Sequence, residues 1–237
     1  GDGELVQRVA LHDMILGELR DWCRDLNALP VLRLGHQVVL RNGGDAARAT
    51  RVPGISLGAT DWMLVDLEPG PSRSDGPDAG EDWKPVEVIR VLREQGFQVL
   101  VSSPERYAYP GGVDPVRVLR SWRMEGTAFQ VDGGSLQGHN GATASALAWR
   151  FMVEGLVDVV ASNHRGNVRP HHLGPATRLV AFRVSPSEAM RLVADNPQAI
   201  LDDRPVEALD RAYRKPEGIS PRSRERAQEL RTPEPAA

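Results

Sequence analysis

Residues 97–109, FQVLVSSPERYAY, decide how this chain is read. FQVLV is an apolar run of strand length. The polar turn after it carries Ser102, Ser103, Glu105, Arg106 and Tyr107. In parallel α/β folds the chemistry gathers where strands stop and loops begin, at the C-terminal rim of the sheet. An arginine flanked by hydroxyls and a carboxylate at a strand end is therefore a candidate binding or catalytic rim.

Beyond this stretch the strand–helix alternation is regular. Downstream, Asp114 and Pro115 open a helix with Val116, Leu119 and Trp122 on one face, Gly126 closes it, and a strand over 128–131 follows. A helix over about 143–154 buries Leu147, Trp149 or Phe151, stops at Gly155, and leads to a strand over 157–161. Ser185, Pro186 and Glu188 form a capping-box start, and Asn196–Pro197 begin a short last helix. Upstream, Asp82 caps a helix with Pro85 in its first turn and Gly96 at its end. WMLVDL at 62–67 and PVLRLGHQVVL at 30–40 read as strands, the Gly- and Ala-rich 42–60 as loop, and 1–26 as an amphipathic helix. Strand-then-helix repetition with short glycine-marked joints predicts a parallel sheet covered by helices. The expected domain spans 1–213, with a polar, flexible insertion at about 69–82 and a disordered tail over 214–237 rich in Pro, Arg and Glu.

The composition narrows the function. A chain of 237 residues, 41% apolar and 26% charged, builds one full-size core. A formal net charge of −3 gives no electrostatic drive toward nucleic acid. No apolar run approaches the roughly 20 residues of a membrane-spanning helix. No secretory signal opens the sequence, so a cytoplasmic location is expected. Cys23 is the single cysteine, which excludes an internal disulfide and a Cys-rich zinc site. Leu29 occupies the place where a thiol phosphatase would need its arginine, so cysteine-based phosphate chemistry is excluded too.

Several motifs together resemble one family. SSPERY is similar to an "AHPERY" strand end, and FQVDGGSLQGHNG to "QVNAGSLLGRFG". GLVDVVASNHRGNVRP resembles "GLVHFLASDAHNLxxRP", DNPQAIL resembles "ENPRAIL", GHQV at 35–38 resembles "GAEV", and MLVDL at 63–67 resembles "LIEF". These are motifs of the PHP (polymerase and histidinol phosphatase) family, in its branch of metal-dependent protein-tyrosine phosphatases of capsule and exopolysaccharide operons. The likeness runs from about residue 4 to 203. It implies a distorted (β/α)7 barrel whose rim holds a cluster of divalent metals (Mn, Fe or Zn). It also implies that the first two strands, with their His-x-His motif, precede residue 1, either because the gene product is shortened or because the sequence is a piece of a longer one.

At the metal-ligand positions that the resemblance marks, this chain has Gln37 for Glu, Asp66 for Glu, Ser103 for His, Asn163 for Asp and Arg165 for His. Divalent cations need anionic or imidazole ligands, and a guanidinium repels them, so no metal cofactor is expected. The two arginines that clamp the substrate phosphate in the family are matched by Arg106 and Arg169. They suit either a phosphate or ordinary ion pairing at the rim. His164 is a candidate acid/base or a solvated loop residue, and Glu105 and Tyr107 support the turn. The Ser102–Ser103 pair reads as turn chemistry, with no His–Asp relay beside it. His171–His172 reads as surface loop, and of His36 and Gln37 only one faces inward. GGSLQGHNG at 133–141 resembles a phosphate-cradling loop without the lysine of a P-loop. Arg165 is expected either to pair with Asp66 or Glu105 in place of the metals or to swing into solvent.

The reading that follows is a catalytically impaired phosphatase fold that binds a phosphorylated ligand, a phosphotyrosine tail or a phospho-glycan. Its rivals are an active metal-dependent protein-tyrosine phosphatase with a reduced metal site, and a ligand-free structural partner in a polysaccharide export complex. Partners other than a phosphorylated protein or glycan are not indicated, and an oligomer is compatible with the sequence.

Overall fold

The computed structural model describes residue 14 and residues 35–58, 60–67, 84–109, 111–162 and 172–206. The expected first helix, Cys23, the insertion at 69–82 and the tail lie outside these residues. Five strands form one sheet: β1 (Gln37–Val39), β2 (Trp62–Asp66), β3 (Gln98–Ser102), β4 (Thr127–Asp132) and β5 (Val159–Ala161). All neighbouring pairs are parallel and the order is β1-β2-β3-β4-β5, so each strand lies beside the next in sequence. Right-handed crossovers between sequential parallel strands place the connecting helices on one face of the sheet. That arrangement is an arc of barrel wall rather than a doubly wound sheet.

The helices follow from local signals. Asn42 caps α1 (Gly43–Ala49), its side-chain oxygen accepting from the Asp45 amide at 3.0 Å. Pro85 sits in the first turn of α2 (Pro85–Glu94), which is capped at Lys84 with no side-chain bond; the expected cap, Asp82, lies outside the described residues. Asp114 caps α3 (Pro115–Met124), as the sequence predicts, accepting from the Val116 amide. A single turn, α4 (Gly133–Leu136), precedes α5 (Ala142–Val153). Then come α6 (Leu173–Arg183) and α7 (Pro186–Met190), the latter capped by Ser185 through the Glu188 amide. A π-turn over Arg191–Asp195 runs directly into α8 (Asn196–Leu201).

Alternation along the strands divides two layers of apolar contacts. Met63, Val65, Val99, Val101, Phe129, Val131 and Val160 face the helices and pack with Val88, Ile89, Leu92, Leu119, Trp122 and Phe151 in the main core. Trp62, Leu100, Ala128 and Val159 face the opposite, concave side with Ile200, and Leu57 and Leu64 pack against them. In a closed barrel such inward residues meet side chains from the opposite wall. Here a cavity of about 350 Å³, lined by Leu57, Leu100, Gln130, Val159 and Ile200 among others, lies on that side. Among the described residues β1 and β5 are sheet edges, and the arc does not close.

Two elements, α1 and α6, depart from the sequence expectation. Residues 42–60 are not all loop, because α1 begins at Gly43. The glycines there read as breakers, yet Gly43 is buried against the Glu87 side chain of α2 and begins a capped helix. Helix α6 carried no expectation, since Gly174–Pro175 resembles a break; proline is tolerated in a first turn. Asn196 and Pro197 begin the short last helix, α8, as expected, and the π-turn feeds into it without a break. The Asn196 side-chain amide donates to the Asp158 carbonyl at 2.8 Å, anchoring the start of β5. No described helix is long and apolar enough to cross a membrane.

Candidate functional site

The rim is built on the turn that ends β3. Ser103 has φ 49° and ψ 47°, a left-handed conformation uncommon outside glycine, and its amide donates to the Gln130 carbonyl at 2.7 Å. That bend starts a 3₁₀ turn, Pro104–Arg106. Two tyrosines hold the turn in place. The buried Tyr107 hydroxyl donates to the Ser102 carbonyl (3.0 Å) and accepts from the Leu67 amide (2.8 Å), tying the end of β3 to the end of β2. Burial, with the nearby Asp66 charge, pushes its phenol well above the ordinary range. The Tyr109 hydroxyl donates to the Pro104 carbonyl at 2.9 Å, and burial raises that phenol as well.

The turn sends its two charged residues to different places. Glu105 is only 1% exposed and turns toward β4, where Oε1 accepts from the Asp132 amide (3.0 Å) and the Ser135 hydroxyl (2.7 Å). Oε2 has no hydrogen-bond partner among the described residues. Burial raises its carboxyl to about 7, opposed by the Ser135 and Asp132 hydrogen bonds, with the Asp132 charge adding to the rise. Arg106 stays at the surface of the rim with its side chain 35% exposed, and its Nη1 lies 3.8 Å from Asp132 Oδ2. Asp132 is the last residue of β4 and the cap of α4. Its Oδ1 accepts from the Gly134 amide (2.8 Å) and its Oδ2 from Asn140 Nδ2 (3.0 Å). Asn140 Nδ2 also donates to the Ser135 hydroxyl at 3.0 Å, which closes the network. Beside it the His139 and His172 rings stack with centroids 4.5 Å apart.

A second group lies toward β1. Gln37 Nε2 donates to Asp66 Oδ2 at 3.2 Å, so Gln37 rather than His36 reaches the inner rim. The buried Ser102 and Ser103 hydroxyls lie 3.5 Å apart. Of the sequence-marked positions, the structure thus joins Gln37 to Asp66, places Tyr107 beside them, and gathers Glu105 and Arg106 around Asp132. Asn163, His164, Arg165, Arg169 and His171 lie outside the described residues, and with them the expected pairing of Arg165. Glu105 is directed into the β4–α4 network. Sequence reading missed Asp132, Ser135 and Asn140. The available signal was FQVDGG, where the motif it resembles has Asn in place of Asp132.

As ligands for a divalent cation, the described positions offer one carboxylate at Asp66, a carboxamide at Gln37 and a hydroxyl at Ser103. Among the described residues no three of His, Cys, Asp and Glu stand close enough to share a metal ion. This donor set does not fit a multi-metal centre.

Comparison with known proteins places the fold. The structure is similar to a chain from the crystal structures of YwqE from Bacillus subtilis and CpsB from Streptococcus pneumoniae, described as unique metal-dependent tyrosine phosphatases. The TM-score is 0.62 and the identity 19%, with 81% of this chain and 73% of that chain covered. Among curated proteins none matches by sequence. The model of the family described as capsular polysaccharide synthesis, CpsB/CapC, matches residues 80–202, a span that holds β3, the SSPERY turn, the Asp132 network and α8. The chain belongs to the CpsB/CapC family of capsular polysaccharide synthesis.

Proposed function

We propose that this protein is a catalytically impaired member of its family that binds a phosphorylated ligand, a phosphotyrosine tail or a phospho-glycan, in capsule or exopolysaccharide synthesis in the cytoplasm. The observation that carries this reading is the contrast between the two halves of the rim. At the positions where the resemblance places metal ligands, the Gln37 carboxamide, a weak donor to a cation, is hydrogen-bonded to Asp66, which supports an impaired metal site. On the phosphate side Arg106 remains accessible at the end of β3, and its 3.8 Å ion pair leaves guanidinium donors for an incoming anion. Arg169 is the second arm of the clamp in this reading.

The test combines metal content with binding and turnover. The purified protein should hold far less than one equivalent of Mn, Fe or Zn. It should bind a phosphotyrosine peptide without hydrolysing it when manganese is added. Ligand at 100 times its dissociation constant stabilises a fold by about 2.7 kcal/mol, a shift that Arg106→Ala should remove while leaving the unliganded protein folded. Stoichiometric metal that survives dialysis against a weak chelator, with turnover of the peptide, would establish an active phosphatase instead.

A further inference from the structure

Helices α3, α5 and α6 share an unusual composition on the outer side of the sheet. Their spans, Pro115–Met124, Ala142–Val153 and Leu173–Arg183, carry six arginines and no aspartate, glutamate or lysine. Side-chain contacts join the three into one surface. Arg150 pairs with Asp114 at the cap of α3 (2.9 Å), Arg120 pairs with Glu154 at the end of α5, and the Arg183 guanidinium lies 4.6 Å over the Trp149 ring. Arg123 turns inward to the buried Asp158, and the other five arginines are exposed. Asp114 and Glu154 answer Arg150 and Arg120, whose side chains stay about half exposed. Arg117, Arg178 and Arg183 have no ion-pair partner among the described residues. The neighbouring acids do not offset them: Glu125 is taken by Arg90 of α2, and Glu188 of α7 is buried against Arg191. His172, which precedes α6 and stacks on His139, adds no negative charge. The face is therefore cationic on a chain whose formal net charge is −3.

Apolar side chains stand among these charges, with Phe182 at 88% and Met124 at 87% exposure and Val153 exposed on α5. Arginine, methionine and aromatic side chains are the types that protein interfaces favour. Guanidinium forks suit carboxylates, and the stack on Trp149 holds the Arg183 fork in place before a partner arrives, which lowers the entropy cost of binding. A lipid surface fits less well. Membrane-surface helices offer a continuous apolar strip, whereas the apolar faces of α3, α5 and α6 are turned into the core and leave single side chains outside. We propose that the outer face of α3, α5 and α6 docks an acidic segment of another protein. The partner's carboxylates pair with Arg117, Arg178 and Arg183, and an apolar side chain packs on Phe182. Neither Arg106 nor Arg169 takes part, so the proposal stands apart from the phosphate clamp.

The probe is a fluorescently labelled copolymer of glutamate and tyrosine, titrated with the whole protein and read by anisotropy. Phosphatidylcholine vesicles containing phosphatidylserine form the parallel arm. The wild-type protein should bind the copolymer at low salt and release it at high salt. Arg117→Glu with Arg178→Glu alters two exposed side chains that hold no ion pair among the described residues, so the melting temperature should persist while affinity falls at least about fivefold. Phe182→Ser should weaken binding about threefold or more. Arg106→Ala should bind as the wild type does. Unchanged affinity in the double variant or in Phe182→Ser, or a loss in Arg106→Ala, would place the copolymer elsewhere and overturn the proposal. Failure of the copolymer to bind overturns it as well, and if the anionic vesicles bind in its place the face belongs to a lipid surface.

Discussion

Leaving Glu105 ionised at 1% exposure, with one oxygen unpaired among the described residues, is costly. The carboxyl is accordingly raised from 4.5 to about 7. A raised folded value means that the native state holds this proton more tightly than the unfolded chain. The stability linked to it is complete below about pH 4.5, declines as pH rises through about 7, and is lost above that. The full amplitude is about 3 kcal/mol. Glu105→Gln keeps an acceptor for the Asp132 amide and the Ser135 hydroxyl and removes the charge. It should be more stable than the wild type at pH 8 and nearly equal to it at pH 5, as read by urea midpoints at the two values. At this same scale the SSPERY turn was legible as a rim, because a strand-length apolar run ending in polar residues marks a strand end. The direction of Glu105 was not, since one carboxylate can face a rim or a neighbouring strand with the same sequence.

Among the elements, α4 is a single turn that must fit between β5 and α6. A β-carbon at Gly133 would lie 3.0 Å from the Ala176 β-carbon and 3.3 Å from the Ala161 and His172 carbonyl oxygens. These are backbone atoms and a β-carbon, and none can move aside by rotating a bond. Gly133→Ala should therefore cost roughly 1–3 kcal/mol despite alanine's better helix propensity, and a thermal melt measures this. Because α4 carries Ser135 and follows Asp132, the variant should also weaken phosphate-ester binding at the rim. Elements with strong boundary chemistry, such as α3 behind Asp114–Pro115, were readable from sequence. Helix α1 was hidden because its Gly43–Gly44 start resembles a loop until its packing against α2 is seen.

At the scale of the molecule, the sheet keeps one face under helices and bends the other around a partly open interior. Ile200 on α8 is 4% exposed and packs with Trp62, Leu100, Ala128 and Val159 on that inner face. Ile200→Ala should destabilise the fold by about 2 kcal/mol, the low end for such a deletion, because the residue already borders the 350 Å³ cavity. Denaturant unfolding should show a lower midpoint with an unchanged slope. A changed slope would mean that α8 detaches as a unit.

Sequence alone determined that this is a parallel α/β protein, because apolar runs, capping residues and glycine stops are local properties legible over a few residues each, and its capsule-type family was legible in motifs such as SSPERY and DNPQAIL. It also determined which residues, Gln37, Asp66 and Ser103 among them, stand at the positions that the resemblance marks, since that is a matter of residue identity. Only the tertiary structure decided who meets whom at the rim. Arg106 reaches Asp132, and Glu105 reaches Ser135, because β3 and β4 lie in the register Ser102↔Gln130. Periodicity tells a side chain which face to occupy, but the neighbour it finds there depends on strand pairing between residues far apart in the chain.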